Sequence, residues 1–199
     1  IFILISCTKT TNKTLTSPDN KIELNFEIID GEALYSINKD EKSVIKKSKL
    51  GILLENKLNI GKDLEIIKVS TSSNNSSWIP DFGEFDEIID NYKNLDVSLS
   101  NGEINFNIIF RVYNDGVAFK YHVPNQSGIT NYNVIDEYSE FNLNSDDKAW
   151  WIPGFSYRRY EFLYAESAID KISKKFFSEN IEDISYDTLG IDAAHTPLT

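Results

Sequence analysis

Hydrophobic and polar residues alternate with a period of two along much of this chain. The clearest run covers 22–28, where isoleucine, leucine and phenylalanine occupy every second position and polar residues lie between them. Two more runs with the same period cover 104–112 and 117–123. Because successive side chains of a β-strand point to opposite faces, this pattern predicts strands that bury one face and expose the other.

The last two runs are predicted to form a hairpin. The sequence YNDGV at 113–117 links them, and asparagine, aspartate and glycine tolerate the positive φ angles of tight hairpin turns. Weaker strands are predicted at 33–38, 43–46, 51–55, 64–71, 95–100 and 133–142, separated by turn sequences such as SPDN and NKDE. Short strands at this spacing predict an all-β fold, a sandwich of antiparallel sheets.

One stretch has helical rather than strand periodicity. In AESAIDKISKKFF, residues 165–177, Ile169, Ile172 and Phe176 fall on one face of a helix. No repeat, proline-rich linker or low-complexity segment interrupts residues 16–199, so a single domain is expected there.

The first 15 residues are predicted to be the remnant of a signal peptide and a tether. An apolar run ends in Leu4-Ile5-Ser6-Cys7 and is followed by a polar stretch, which resembles a bacterial lipobox with Cys7 as the lipidated residue. The alternatives are an ordinary secretory segment or a first strand with an incidental cysteine. Because residue 1 is isoleucine and the chain has no methionine, we expect the natural start upstream. A periplasmic or outer-membrane lipoprotein is therefore expected, secreted across the inner membrane and held at a membrane by its lipid.

Composition and charge narrow the classes of ligand. The hydrophobic content of 41% is enough for a core, and the net charge of −11 would repel a phosphate backbone. Nucleic acid is therefore not an expected partner, whereas neutral sugars and divalent cations are compatible with the charge. A single cysteine excludes an internal disulfide and a thiolate-cluster metal site in these residues.

The chain offers little for nucleophilic or acid–base catalysis. The two histidines are His122, on the polar face of a predicted strand and expected in solvent, and His195, just before TPLT. The 31 aspartates and glutamates lie mostly on solvent faces, and no pair is selected for glycoside hydrolysis. The NSDD sequence at 144–147 is expected to form an Asx turn rather than a metal site.

Glu161 is the one carboxylate in an unusual setting. It lies within WWIPGFSYRRYEFLYAES, residues 150–167, between a tyrosine and a phenylalanine. A carboxylate among aromatic side chains must be exposed, paired or bound to something. An ion pair with Arg158 or Arg159 is one explanation, and a bound ion is the other.

Seven sequence motifs follow one another between residues 16 and 199. They are SPDNKIELNFEI, SKLGILL, SSWIPDFGEFDEIIDNYKNLDVSL, IIFRVYNDGVAFKYHVP, AWWIPG, YEFLYAES and HTPLT. In this order they resemble the N-terminal domain of glycoside hydrolase family 97, the calcium-dependent α-glucosidases and α-galactosidases of bacterial glycan-utilisation systems. The chain departs from the family at Phe82, where tryptophan is usual, and at Asn94, where glutamate is common. Its loop GFSYRRYE is one residue longer than in the starch-degrading α-glucosidases.

The resemblance implies an antiparallel β-super-sandwich that precedes a catalytic (β/α)8 barrel. The catalytic glutamates of the family lie on that barrel, so no catalytic residue is expected in this chain and the fragment alone should be inactive. One glutamate of the N-terminal domain ligates the active-site calcium, and the motif aligns it with Glu161. Calcium prefers carboxylate oxygens, and the aromatic neighbours are expected to shield this carboxylate from solvent.

The expected function is therefore a domain of a secreted, exo-acting α-glycosidase that uses Ca2+ and α-linked oligosaccharides. α-Glucosidase and α-galactosidase, and inverting and retaining mechanisms, are equally compatible with the motifs. Two alternatives are a non-catalytic, surface carbohydrate-binding lipoprotein domain and a purely structural sandwich that packs on a partner domain.

Overall fold

β-Strands account for most of the regular structure in this chain. The structure is a computed structural model that describes residues 11–55, 59–126, 131–154, 161–184 and 192–195. The strands in these ranges are β1 (Thr11–Thr16), β2 (Ile22–Ile29), β3 (Glu32–Lys39), β4 (Lys42–Leu50), β5 (Ile52–Leu54), β6 (Asn59–Ile60), β7 (Glu65–Trp78), β8 (Ile88–Ser100), β9 (Asn105–Val112), β10 (Val117–His122), β11 (Val134–Glu137), β12 (Lys148–Trp151) and β13 (Ala165–Ala168). The helices described are a 3-10 turn at Ile169–Lys171 and α1 (Lys174–Asn180).

The strands form antiparallel sheets in two compact units. In the first unit, Ile1–Asn142, the sheet orders are β1-β2-β3-β4, β10-β9-β8-β7 and β11-β5-β6. The second unit, Leu143–Thr199, contains β12 paired with β13, together with α1. The prediction of an all-β, antiparallel fold is confirmed. Within the described ranges, no helix has the length and hydrophobicity needed to cross a membrane.

The two four-stranded sheets of the first unit share one hydrophobic core. Every second residue of β2 and of β9 is buried in it, as the alternation predicts. Phe26 from one sheet lies 5.7 Å, centroid to centroid, from Phe110 of the other, at a tilted angle of 57°. Burial of each such side chain stabilises the fold by about 1.5–3 kcal/mol, so the sandwich is held together mainly by these inner faces.

The predicted hairpin is present, but its turn differs from the expected one. β9 and β10 pair with Val112 opposite Val117, and the Tyr113 amide donates to the Gly116 carbonyl at 2.8 Å. None of the four loop residues has a positive φ angle. Hairpin loops of four residues are most often built around a type I turn, which requires no positive φ. The two-residue hairpin loop Asp30-Gly31 does use positive φ angles, of 50° and 78°.

The chain begins its regular structure earlier than expected. Residues 11–15, predicted to belong to a tether, lie in β1, where Leu15 is opposite Leu24 of β2. β7 and β8 extend beyond the predicted 64–71 and 95–100.

The predicted helix over 165–177 is wrong in its first half. Ala165–Ala168 forms β13, because Ala165 and Ser167 alternate inward while Glu166 points out, and the strand pairs with β12. The helix begins only at Lys174, where the side chain of Ser173 accepts a hydrogen bond from the Phe176 amide at 3.1 Å and caps it.

Candidate functional site

The segment that carries Glu161 belongs to a small core in the second unit. Trp151 of β12 is buried there, and its ring lies 5.7 Å from that of Phe177 in α1. The Trp151 indole Nε1 donates to Ser167 Oγ at 2.9 Å, which satisfies the buried N–H group. β12, β13 and α1 therefore pack together in one small hydrophobic core next to this segment.

Phe162 fixes the backbone beside Glu161. The Phe162 ring is buried in the same core and meets Phe177 edge to face, with centroids 5.8 Å apart. Its neighbours on both sides point outward: Glu161 is exposed, and so are Leu163 and Tyr164. The sequence at 161–164 thus places one aromatic anchor inward and leaves the carboxylate at the surface.

Of the aromatic residues expected to shield Glu161, the two that the structure describes, Phe162 and Tyr164, do not cover it, and Tyr160 lies outside the described residues. Phe162 turns into the core instead of covering its neighbour, and Tyr164 is 70% exposed. No described residue forms a hydrogen bond or an ion pair with the Glu161 carboxylate. The alternative partners, Arg158 and Arg159, lie outside the described residues, and so does Cys7.

The described residues around Glu161 could supply one calcium ligand but not a complete calcium site. Calcium takes six to eight oxygen ligands, often from several carboxylates. Among the residues that the structure describes, no group of three or more histidine, cysteine, aspartate or glutamate side chains could hold a metal ion. Glu161 offers an exposed, charged side chain on an anchored backbone, which suits a ligand set completed by residues from elsewhere.

A second carboxylate nearby has a different environment. Glu166 on the outer face of β13 forms a salt bridge with Lys148 at 2.5 Å and accepts a hydrogen bond from Trp150 Nε1 at 3.1 Å. The hydrogen bond from Lys148 is the main cause that lowers the pKa of Glu166 below its ordinary value. Because its charge is already compensated, Glu166 is a useful contrast to Glu161.

The other candidates from the sequence have structural roles or solvent positions. His122 is exposed at the end of β10, as predicted. His195 is half-buried, and its backbone amide donates to the Ile152 carbonyl at 3.0 Å. Residues 144–147 form a backbone turn, in which the Asp147 amide donates to the Asn144 carbonyl at 3.2 Å and Asn144 Nδ2 donates to Asp147 Oδ2 at 3.1 Å.

Sequence reasoning missed five exposed apolar side chains that lie within 12 residues of one another in sequence, at the ends of β7 and β8 and in the connection between them. They are Trp78, Ile79, Phe82, Phe85 and Ile89. The signal available in the sequence was an aromatic-rich stretch, SSWIPDFGEFDEII, without a lysine or arginine and without a strand period.

Comparisons with known proteins agree with the fold and with the motifs. The model of a family described as Glycosyl-hydrolase 97 N-terminal matches residues 15–199. The retaining α-galactosidase of Bacteroides thetaiotaomicron is 26% identical over 133 residues, which cover 67% of this chain and 19% of that protein.

Solved structures give the same picture. A glycoside hydrolase family 97 enzyme from Pseudoalteromonas sp. strain K8, in complex with acarbose, has a TM-score of 0.74 and 29% identity, covering 81% of this chain and 25% of its own. A β-arabinopyranosidase with a TM-score of 0.67 and 22% identity shares the fold over 73% of this chain and 23% of its own. The chain spans about a fifth to a quarter of the length of these relatives. With the family model matched over nearly all of its residues, the chain belongs to glycoside hydrolase family 97, as an N-terminal domain of that family.

Proposed function

We propose that this chain is the N-terminal domain of a calcium-dependent, exo-acting α-glycosidase. In this proposal it packs on a catalytic (β/α)8 barrel of the same polypeptide and contributes Glu161 as one calcium ligand. The observation that carries the proposal is the exposed Glu161 carboxylate on a backbone fixed by Phe162, in a chain of this family.

The substrate class follows from the relatives. One relative is an α-galactosidase, and structures of the Pseudoalteromonas enzyme contain panose or acarbose. An α-linked oligosaccharide is therefore the proposed substrate, cleaved by an α-glucosidase or an α-galactosidase activity. The catalytic acid and base would come from the barrel, so residues 1–199 alone should not hydrolyse aryl α-glycosides. Turnover that co-purifies with the fragment would contradict this part of the proposal.

The role of this chain in the reaction would be to hold the metal ion in place. A calcium ion bound there would supply Lewis-acid chemistry to the reaction. Glu161 would provide a negatively charged oxygen ligand, and the packing of Phe162 on Phe177 would limit the motion of its backbone. Covering the carboxylate with another domain costs little only if a positive charge compensates it, which the ion does.

Glu161→Gln in the full-length protein tests the ligand assignment. Glutamine keeps the shape and one carbonyl oxygen but removes the charge that a hard divalent cation prefers. The calcium concentration for half-maximal activity should rise by at least about tenfold and turnover should fall, while the thermal midpoint in excess chelator stays unchanged.

Glu166→Gln is the matched control, since it removes a nearby carboxylate that is already paired with Lys148. It should leave the calcium dependence and turnover at wild-type values. If wild type and the Glu161 variant reach half-maximal activity at the same calcium concentration, Glu161 is not a calcium ligand.

We further propose that the protein is exported as a lipoprotein through Cys7. The support is the Leu4-Ile5-Ser6-Cys7 sequence after an apolar run. A full-length precursor in a Gram-negative host should fractionate with membranes, and Cys7→Ser should release it to the soluble fraction. Unchanged membrane association of that variant would show that Cys7 is not the anchor.

A further inference from the structure

β7 and β8 continue as a two-stranded arm beyond the sheet to which they belong. β9 pairs with β8 only from Lys93 to Ser100, whereas β7 and β8 stay paired as far as Trp78 opposite Ile88. The β7–β8 arm is defined as residues 74–92. Its five paired positions, from Asn74–Tyr92 to Trp78–Ile88, extend about 17 Å at the usual strand rise. An isolated two-stranded ribbon is only marginally stable in water, so the arm needs further contacts.

The base of the arm is braced by the neighbouring strand and its loop. Tyr113 donates from its hydroxyl to Asp90 Oδ1 at 3.2 Å, and Asn74 Nδ2 donates to the Asp90 carbonyl at 2.6 Å. The Tyr92 ring lies 5.2 Å from Tyr113 and 4.3 Å from the guanidinium carbon of Arg111. These contacts fix the direction in which the arm leaves the sheet.

The far end of the arm is strongly apolar and open to solvent. Phe82 is 91% exposed and Ile79 is 79% exposed. Trp78, Phe85 and Ile89 are also more than half exposed. Five large apolar side chains exposed within one segment of 12 residues indicate an interaction site, because exposed apolar residues are usually scattered singly over a protein surface.

The charge of the arm restricts what can cover this apolar end. It carries five carboxylates and no lysine or arginine; the acidic residues are Asp81, Glu84, Asp86, Glu87 and Asp90. A second copy of this chain would bring an identical acidic arm and a net charge of −11. Like charges at an interface oppose association, so a partner with a basic rim is favoured.

The size of the patch favours a partner in the same polypeptide. Five side chains are far fewer than the roughly 20–30 residues that each side of a stable interface between separate proteins contributes. Covalent linkage raises the effective concentration of two surfaces to about the millimolar range, where a small patch is sufficient. Family relatives have such additional chain, since this one covers 25% of the Pseudoalteromonas enzyme.

We propose that the β7–β8 arm docks into an apolar groove rimmed by lysine and arginine side chains on the domain that follows in the same polypeptide. Phe82 and Phe85 are the principal apolar contacts, and the four acidic residues at 81–87 meet the basic rim. The proposal rests on the proposed function in one respect, because it requires a second domain after residue 199.

Zero-length cross-linking of the full-length protein tests the partner directly. A carbodiimide joins a carboxylate to a lysine that lies in contact with it, and mass spectrometry identifies both residues. We expect cross-links from Asp81, Glu84, Asp86 or Glu87 to lysines beyond residue 199. A mixture of 15N-labelled and unlabelled protein separates links within one polypeptide from links between two. Links only between copies, links only to lysines within residues 1–199, or no links from these four residues would overturn the proposal.

Hydrogen exchange provides a second measurement on the same full-length protein. The amides of residues 79–87 should be protected, and Phe82→Ser with Phe85→Ser should speed their exchange by about tenfold or more. Ile67→Ser is the matched control, because Ile67 is an exposed apolar residue of β7 outside the arm. It should leave exchange in the arm unchanged. Rapid exchange of residues 79–87 in the wild type, or equal exchange in the double variant, would refute docking.

The two proposals fail in different measurements. Glu161→Gln is expected to change the calcium dependence and to leave the cross-links of the arm intact. The full-length protein could show cross-links to lysines beyond residue 199 but no calcium-dependent glycosidase activity. That result would contradict the proposed function and support the docking of the arm.

Discussion

We predict that the buried Tyr35 makes the sandwich less stable as the pH rises above 10. Its ring is buried between the two sheets, and its hydroxyl donates to the Glu140 carbonyl at 2.8 Å. Burial is the main cause that raises the pKa of Tyr35 from 10.0 to about 12, with smaller contributions from Tyr121 and Glu140. The neutral phenol is therefore favoured in the folded protein over a wider pH range than in the unfolded chain.

The direction of the effect follows from proton binding in the two states. Below pH 10 both states keep the phenol proton, and the folded protein has its full stability. Between pH 10 and about 12 the unfolded chain has lost the proton while the folded protein retains it, so stability falls as pH rises. Each pH unit in this interval costs about 1.4 kcal/mol, so the loss of stability across it is about 2–3 kcal/mol.

Tyr35→Phe should reverse the order of stability. The variant lacks the hydrogen bond to Glu140, which costs about 1 kcal/mol at pH 8. It also lacks the ionisable hydroxyl, so its free energy of unfolding does not fall through ionisation at this position. The variant should therefore become more stable than wild type above roughly pH 11. Tyr121, whose pKa is also raised to about 12, is present in both proteins, so its own alkaline loss of stability occurs in both.

Urea unfolding followed by far-ultraviolet circular dichroism, at intervals from pH 8 to pH 12, measures the difference. Tyr132→Phe is the control, because Tyr132 is 44% exposed and should show no reversal. A difference between wild type and Tyr35→Phe that stays constant across this pH range would refute the link between burial and alkaline destabilisation.

Two further predictions concern backbone and hydrogen-bond geometry. Ser167→Ala should lower the free energy of unfolding by about 1–3 kcal/mol in urea titrations, because it leaves the buried Trp151 N–H without its acceptor; no loss would mean that the indole finds another partner. Gly31→Ala should lower the thermal midpoint, since Gly31 has a φ of 78° and the new Cβ would lie 3.0 Å from Asp63 Cα. Glu41→Gly, at a φ of 64° in the next hairpin loop, should instead stabilise by up to about 1 kcal/mol, and equal shifts in both variants would contradict the argument from φ.

The strands that were predicted correctly are those with one buried face, because burial of one face requires a hydrophobic residue at every second position. β2 and β9 each present one face to the shared core, so their hydrophobic residues recur at every second position. The β7–β8 arm escaped prediction because none of its paired residues is fully buried, so neither face imposes a hydrophobic period. Residues such as those in TSSNNSS carry no alternation, and their pairing comes from backbone hydrogen bonds across the ribbon.

β13 escaped prediction for a different reason. Its buried positions hold the small residues Ala165 and Ser167, which give no hydrophobic signal, while the isoleucines after it fall at helical spacing. What decides the local structure is the pairing with β12 and the hydrogen bond from Trp151 to Ser167, and both are tertiary contacts.

The proposed role of Glu161 could not be predicted from residue patterns alone. An acidic residue between aromatic ones is compatible with an ion pair and with a bound metal, and only the resemblance to a family selected the metal. The exposure of Glu161 could not be read from its neighbours, because Phe162 turns inward while Leu163 and Tyr164 turn outward.

If Glu161 is one ligand of an ion whose other ligands come from another domain, calcium and domain docking become thermodynamically linked. A single carboxylate does not complete the six to eight oxygens that calcium requires, so this domain alone should gain no stability from the ion. The full-length protein should gain RT ln(1 + [Ca2+]/Kd), and only while the two domains are docked. Contacts that favour docking, such as those proposed for the β7–β8 arm, then also raise the apparent affinity for calcium. The reason is that calcium binding and the arm contacts both stabilise the docked state.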